Sequence, residues 1–167
     1  PGSRITGYGV VESERGALRF VACGVIKTAT SMPFNYRLNQ IFSGINEVIQ
    51  LHGPTEAAIE EVFLATNPGS ALKLGQARGA AVVAVMQNNL EVADYSAKQI
   101  KQAVVGYGQA GKGQIQHMVR VLLGLNKAPS SDAADALAIA ICHAFHAACD
   151  DHLCAACHDL IMAKHHG

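Results

Sequence analysis

Asp132 and Asp135 stand three residues apart in Ser130-Ser131-Asp132-Ala133-Ala134-Asp135-Ala136-Leu137. The serine pair reads as a helix N-cap, which stacks both carboxylates on one helical face near the positive end of the helix. Side by side the two acids repel. A divalent cation converts that repulsion into coordination, because hard cations prefer carboxylate oxygen. A solvated acidic first turn has the same sequence, so the pair alone leaves both readings open.

The elements that must carry such a pair follow from periodicity. Thr6–Ser13 and Ala17–Thr28 are β-rich runs around Glu14-Arg15-Gly16, and predict an antiparallel hairpin. From Pro33 to about Leu51, Leu38, Ile41, Phe42, Ile45, Val48 and Ile49 recur at helical spacing, and His52-Gly53-Pro54 ends the helix. Ala57–Phe63 reads as a strand and Ser70–Gln87 as a mostly buried helix of small residues. Glu91–Tyr95 is a short strand, and Ser96 caps a helix to about Val105. Gly106–Gly113, with four glycines, reads as a mobile loop. Ile115, Met118, Val119, Leu122 and Leu123 mark another helix before the one bearing the acids. Strands followed by alternating helices and strands predict an α/β domain with a mixed sheet.

At 167 residues the chain suits one domain with a real core. Half of it is hydrophobic and 16% charged, which excludes a disordered chain, and its apolar runs fall far short of a membrane span. No secretory leader opens the sequence, so a cytoplasmic protein that does not engage a membrane is expected. Five cysteines, four of them in the last 26 residues, do not make a disulfide framework for the whole domain. Formal charge sums to zero but is unevenly distributed. Residues 73–127 carry a surplus of five basic groups, and residues 128–167 hold Lys164 against five acids. The basic middle could follow a phosphate backbone, although a solvated helical surface would look similar.

Five segments, taken in order, resemble one family. They are Pro1-Gly2-Ser3-Arg4-Ile5-Thr6-Gly7-Tyr8-Gly9-Val10, Ala58-Ile59-Glu60-Glu61-Val62-Phe63, Ala71-Leu72-Lys73-Leu74-Gly75-Gln76-Ala77-Arg78-Gly79, Gln114-Ile115-Gln116-His117-Met118-Val119-Arg120 and Asp132-Ala133-Ala134-Asp135-Ala136-Leu137-Ala138. Over roughly residues 1–143 the chain resembles the RuvC family of Holliday junction resolvases. The resemblance implies a ribonuclease H-like α/β fold: a five-stranded mixed sheet flanked by helices, acting as a homodimer. It implies four carboxylates holding two Mg2+ ions, with Mn2+ as a substitute. Glu60, Asp132 and Asp135 match three of them. The fourth, an Asp ending the family's first strand, would directly precede Pro1. On this resemblance the chain is N-terminally truncated, its first strand missing and its cleavage impaired.

The remaining implied roles concern DNA. Lys101 and Lys112 match lysines near the scissile phosphate, Lys73 and Arg78 match a helix that reaches phosphates, and Phe63 matches an aromatic that stacks on a base. Ordinary surface lysines and a core phenylalanine are the plain alternatives, and Tyr8 and Phe42 are expected in the core. Strand alternation favours Glu60 over Glu61 at the strand end, where open α/β sheets place ligands. The expected activity is metal-dependent, symmetric nicking of four-way junction DNA in recombination and repair, with a T-rich preference and with RuvA and RuvB as partners. The alternative is a branched-DNA-binding module that does not cut. A sugar-kinase or actin-like ATPase, whose Gly-rich turn cradles phosphate, requires a second lobe that this length does not accommodate.

Residues 1–148 are expected to form the nuclease domain and 149–167 a Cys/His-rich extension, most simply helical with incidental thiols. Cys142, His146 and Cys149 fall at spacing that would form a metal-binding helical face. Cys154-Ala155-Ala156-Cys157-His158 formally matches a haem-attachment pattern. His143, two turns beyond Asp135, is expected either to face the metals or to lie on the helix surface.

Overall fold

The computed structural model describes residues 1–14, 16–61, 67–150 and 157–164. The expected hairpin is present as β1 (Ile5–Glu14) and β2 (Ala17–Lys27), paired antiparallel with a bulge at Val10/Val11. Next come α1 (Phe34–His52), β3 (Glu56–Glu60), α2 (Pro68–Gln87), β4 (Val92–Tyr95), α3 (Ala97–Val105), α4 (Lys112–Leu122), α5 (Ser131–Asp150) and β5 (Cys157–Lys164).

Local chemistry accounts for most of the helix ends. Gly53 closes α1 in the left-handed region with φ 57°, where a side chain would be strained. The Asn67 side chain accepts from the N–H groups of Gly69 and Ser70, and Pro68 opens α2 where no donor is needed. Ser96 and Gln99 form a reciprocal capping box on α3. The glycine-rich stretch ends earlier than expected. Gln114 accepts from the N–H of Gly111 at 2.9 Å, so α4 starts at Lys112 and takes Gly113 into its first turn.

The sheet has five strands in the order β2-β1-β5-β3-β4, with β5 antiparallel to β1 and parallel to β3, and β3 parallel to β4. The resemblance implied a sheet lacking a strand, and the Cys/His-rich extension was itself expected to be helical; both expectations are corrected. The helix persists to Asp150, but Cys157–Lys164 is a strand in the centre of the sheet, pairing Thr6 with Lys164 and Ala57 with Leu160. The driving force is plain. The facing edges of β1 and β3 each present a row of backbone donors and acceptors, which burial between helices leaves without water.

Strand alternation divides the core between the two faces. Val10, Ala57 and Ile59 face α1 and α2, packing on Ile41, Ile45, Ala77, Ala81 and Val85. Val11 and Ala58 face α3, α4 and α5, packing on Ile100, Val104, Ile115, Val119, Leu137 and Ile141. Tyr8 and Phe42 pack against the first of these clusters, as expected for core residues. The expectation of a mostly buried α2 is corrected: only its Leu74, Ala77, Ala81, Ala84 and Val85 stripe is buried, and Leu72, Val83 and Met86 are exposed.

The turn before β1 is held firmly. Thr6 Oγ1 donates to the Gly2 carbonyl at 3.0 Å and Thr28 Oγ1 to the Ser3 carbonyl at 2.9 Å. The Arg37 guanidinium also donates to Ser3 O and reaches Thr28 Oγ1, so α1 ties down a buried Pro1-Gly2 segment. Because β1 begins opposite the end of β5, and β5 runs with β3, this turn lies at the sheet end where Glu60 stands.

Candidate active site

The site is built where α5 crosses β1. Glycine at position 7 permits the approach: a Cβ there would sit 2.1 Å from the backbone oxygen of Asp132. Gly9 does the same for Leu137, whose backbone N would be 2.9 Å away. The helix therefore lies directly on the strand, and its first turn comes to the Glu60 end of the sheet. Glu60 shares a face with Ala58, two residues earlier on β3, and so points to the α5 side.

There, Glu60 and Asp135 line one cavity of about 120 Å3, with Lys101 of α3 and Lys112 of α4. Ala97, Ile100, Ala110, Ile115, Ala138 and Ile139 form its apolar walls. Two acidic and two basic residues thus line one partly open pocket with apolar walls, where their fields act more strongly than at a flat surface. Glu61 is exposed just beyond the strand, its N–H bonded to the Tyr95 carbonyl at 2.9 Å.

Asp132 is placed differently from Asp135. It is 7% exposed, one turn back on the same helix, and does not line the cavity. Among the described residues, no three His, Cys, Asp or Glu side chains stand close enough to hold a metal as a cluster. The pair that does converge, Glu60 and Asp135, fits a hard cation that keeps several waters and takes its other ligands from a substrate phosphate, as magnesium commonly does.

Of the remaining expected DNA contacts, Lys73 is exposed on α2, and Arg78 is ion-paired with Asp94 of β4. Neither lines the cavity. Phe63 lies outside the described residues. Of the expected Cys142–His146–Cys149 metal face, the Cys149 side chain lies outside the described residues. Burial pushes the Cys142 thiol up to about 12, and His146 Nδ1 lies 3.7 Å from Cys142 Sγ and 2.7 Å from the Cys142 carbonyl oxygen. The Cys154–His158 pattern falls largely outside the described residues, and Cys157 and His158 belong to β5.

His143 corrects both of its expectations. It neither faces the carboxylates nor lies on the surface, but is buried between Glu56, at the start of β3, and the side chain of Tyr95, which ends β4 beside Glu60. Sequence reading missed this contact, as it missed the Thr6, Thr28 and Arg37 hold on the N-terminal turn. An apolar helix with one histidine embedded in Ala138–Ala144 was the available signal.

Comparison with known proteins agrees with this architecture. The family described as "Crossover junction endodeoxyribonuclease RuvC" matches residues 1–143. A crossover junction endodeoxyribonuclease RuvC of Acinetobacter baumannii is 59% identical over 145 residues, covering 86% of this chain and 79% of that protein. The protein of the same description from Francisella philomiragia is 59% identical over 143 residues, covering 86% and 83%. Among solved structures, Thermus thermophilus RuvC in complex with a Holliday junction substrate superimposes with a TM-score of 0.83 at 38% identity, covering 90% of this chain and 92% of that one. The Thermus thermophilus RuvC structure gives a TM-score of 0.80 at the same identity. With that extent of match and a ribonuclease H-like sheet carrying Glu60 and Asp135 into one cavity, the chain belongs to the RuvC family of crossover junction endodeoxyribonucleases.

Proposed function

We propose that this protein resolves Holliday junctions by metal-dependent, symmetric nicking of paired DNA strands in recombination and repair. The observation that carries the proposal is the shared cavity of Glu60, Asp135, Lys101 and Lys112 on a chain of this family. Glu60 and Asp135 would hold magnesium, or manganese in its place, with Asp132 supporting them from the same helical turn. When bound, such an ion acts as a Lewis acid that activates water and offsets charge on a phosphate. Lys101 and Lys112 bind the oxygens of the scissile phosphate and keep it against the carboxylates. The isoleucine walls limit the water that competes for that phosphate. Lys73 is offered to flanking phosphates, as is Arg78 whenever DNA displaces Asp94. Phe63 follows Glu60 by three residues and stacks on an unpaired base at the junction centre, a contact worth about 1–3 kcal/mol.

Paired nicks need two sites, and α2 supplies a surface for a second copy. Leu72, Val83 and Met86 are exposed along it, with Gly75 and Gly79 opening space that no side chain occupies. Small residues spaced in this way allow helices to approach closely. We place the protein in the cytoplasm with RuvA and RuvB as partners; no helix among the described residues is long and apolar enough to cross a membrane. Residues 1–148 form the nuclease unit, and the 149–167 extension joins its sheet through β5.

Incubating the protein with a mobile four-way junction and magnesium tests the reading. Two nicks at symmetry-related positions are expected, and none in EDTA. A junction that is bound but left intact in both magnesium and manganese overturns it in favour of a module that binds without cutting. The relatives, all described as endodeoxyribonucleases, give that alternative no support.

A further inference from the structure

The buried group that this mechanism does not use is His143. It is 8% exposed on α5, with Nδ1 2.9 Å from the Tyr95 hydroxyl and Nε2 2.9 Å from Glu56 Oε2. A carboxylate only accepts, so Nε2 carries the proton and donates to Glu56, which leaves Nδ1 to accept from the Tyr95 hydroxyl. Burial lowers the His143 pKa and His146 lowers it further, while Glu56 opposes both; the net direction is down, and the imidazole is neutral at neutral pH. One side chain therefore ties α5 to β3 and β4 through a donor and an acceptor whose roles are fixed.

The spacing of these anchors matches that of the candidate site. From Glu56 to Glu60, four strand residues span about 13 Å. From His143 back to Asp135, eight helical residues span about 12 Å. The strand runs toward the cavity and the helix runs away from it, so a pin at one end sets the separation of the carboxylates at the other. Packing alone holds α5 through Leu137, Ile139 and Ile141 set among the smaller Ala133, Ala134, Ala136, Ala138, Ala140 and Ala144. Apolar contact is non-directional, whereas the His143 hydrogen bonds have one geometry, so they add a directional hold on where the helix sits along the sheet. Fixing register is the best-attested use of a buried polar group.

We propose that Tyr95, His143 and Glu56 form a positioning clamp that holds α5 in register with β3 and so sets Asp135 against Glu60. The inference rests on the reading that Glu60 and Asp135 share a cation, and its test separates the two. Manganese binding is measured calorimetrically on the unsubstituted protein and on Glu56→Ala, Glu56→Gln and Tyr95→Phe, with the unfolding midpoint of each. Glu56 is partly exposed at the strand start, so its variants fold, and Tyr95→Phe keeps the ring. Glu56→Ala weakens manganese affinity about tenfold, the scale of one hydrogen bond to a charged group. Glu56→Gln, which still accepts from Nε2–H, stays within about threefold of the unsubstituted protein. Tyr95→Phe falls between them.

Unchanged affinity in Glu56→Ala and Tyr95→Phe overturns the clamp. Equal weakening in Glu56→Ala and Glu56→Gln also overturns it, because the effect then follows charge and not the bond that sets register. An unsubstituted protein that binds no manganese overturns the carboxylate reading itself, and the clamp with it.

Discussion

Asp135→Asn and Glu60→Gln each lower junction cleavage by at least about a hundredfold, the scale of losing one electrostatic contact to a transition state. Both acids line the cavity and neither substitution changes side-chain volume, so the fold and the lysine rim survive. Junction affinity, which rests on basic groups such as Lys101 and Lys112, stays within about threefold or tightens as negative charge is removed. Gel-shift and cleavage assays on one junction give both numbers. Equal loss of binding and cleavage would assign the two acids a structural role.

Gly7→Ala is expected to be nearly as damaging, by a different route. The added Cβ meets the Asp132 carbonyl oxygen at 2.1 Å and its carbon at 2.6 Å, both backbone atoms of the first turn of α5. No side-chain rotation relieves that clash. The helix start must lift from β1, and overpacking of this kind costs about 1–3 kcal/mol. In a chain of this length, each kcal/mol lowers the unfolding midpoint by about 2–4 °C. Cleavage falls further than stability, since Asp132 and Asp135 move with the turn. Gly113→Ala provides the contrast: it sits in α4 with nothing within 4 Å, and should raise the midpoint slightly. A Gly7→Ala protein that matches the parent in midpoint and rate would show that the contact between α5 and β1 does not position the acids.

Much of this arrangement was legible in the sequence because local chemistry and period agree there. The pairing of β1 with β2, the Ser96–Gln99 box and the Gly53 stop are all set by near neighbours in the chain, and the structure keeps them. Alternation along the strand was enough to separate Glu60 from Glu61, and the structure puts Ala58 and Glu60 on the face that meets α5. What escaped depended on distant partners. The place of Cys157–Lys164 in the sheet depends on β1 and β3 presenting facing edges, which no local pattern in Leu160-Ile161-Met162 specifies. The exposed side of α2 has the same composition as its buried side, so its small apolar residues could not be divided in advance. His143 required knowing that Glu56 and Tyr95, on different strands, end beside one helix position. The split between Asp135 in the cavity and Asp132 buried beside it was likewise set by a close approach at Gly7.

Crystals of this protein grown with manganese, with data collected near the metal's absorption edge, probe the shared cavity most directly. An anomalous peak within bonding distance of carboxylate oxygens from both Glu60 and Asp135 is the expected result, lost in Asp135→Asn. Manganese bound elsewhere, with none between those two side chains, would contradict it.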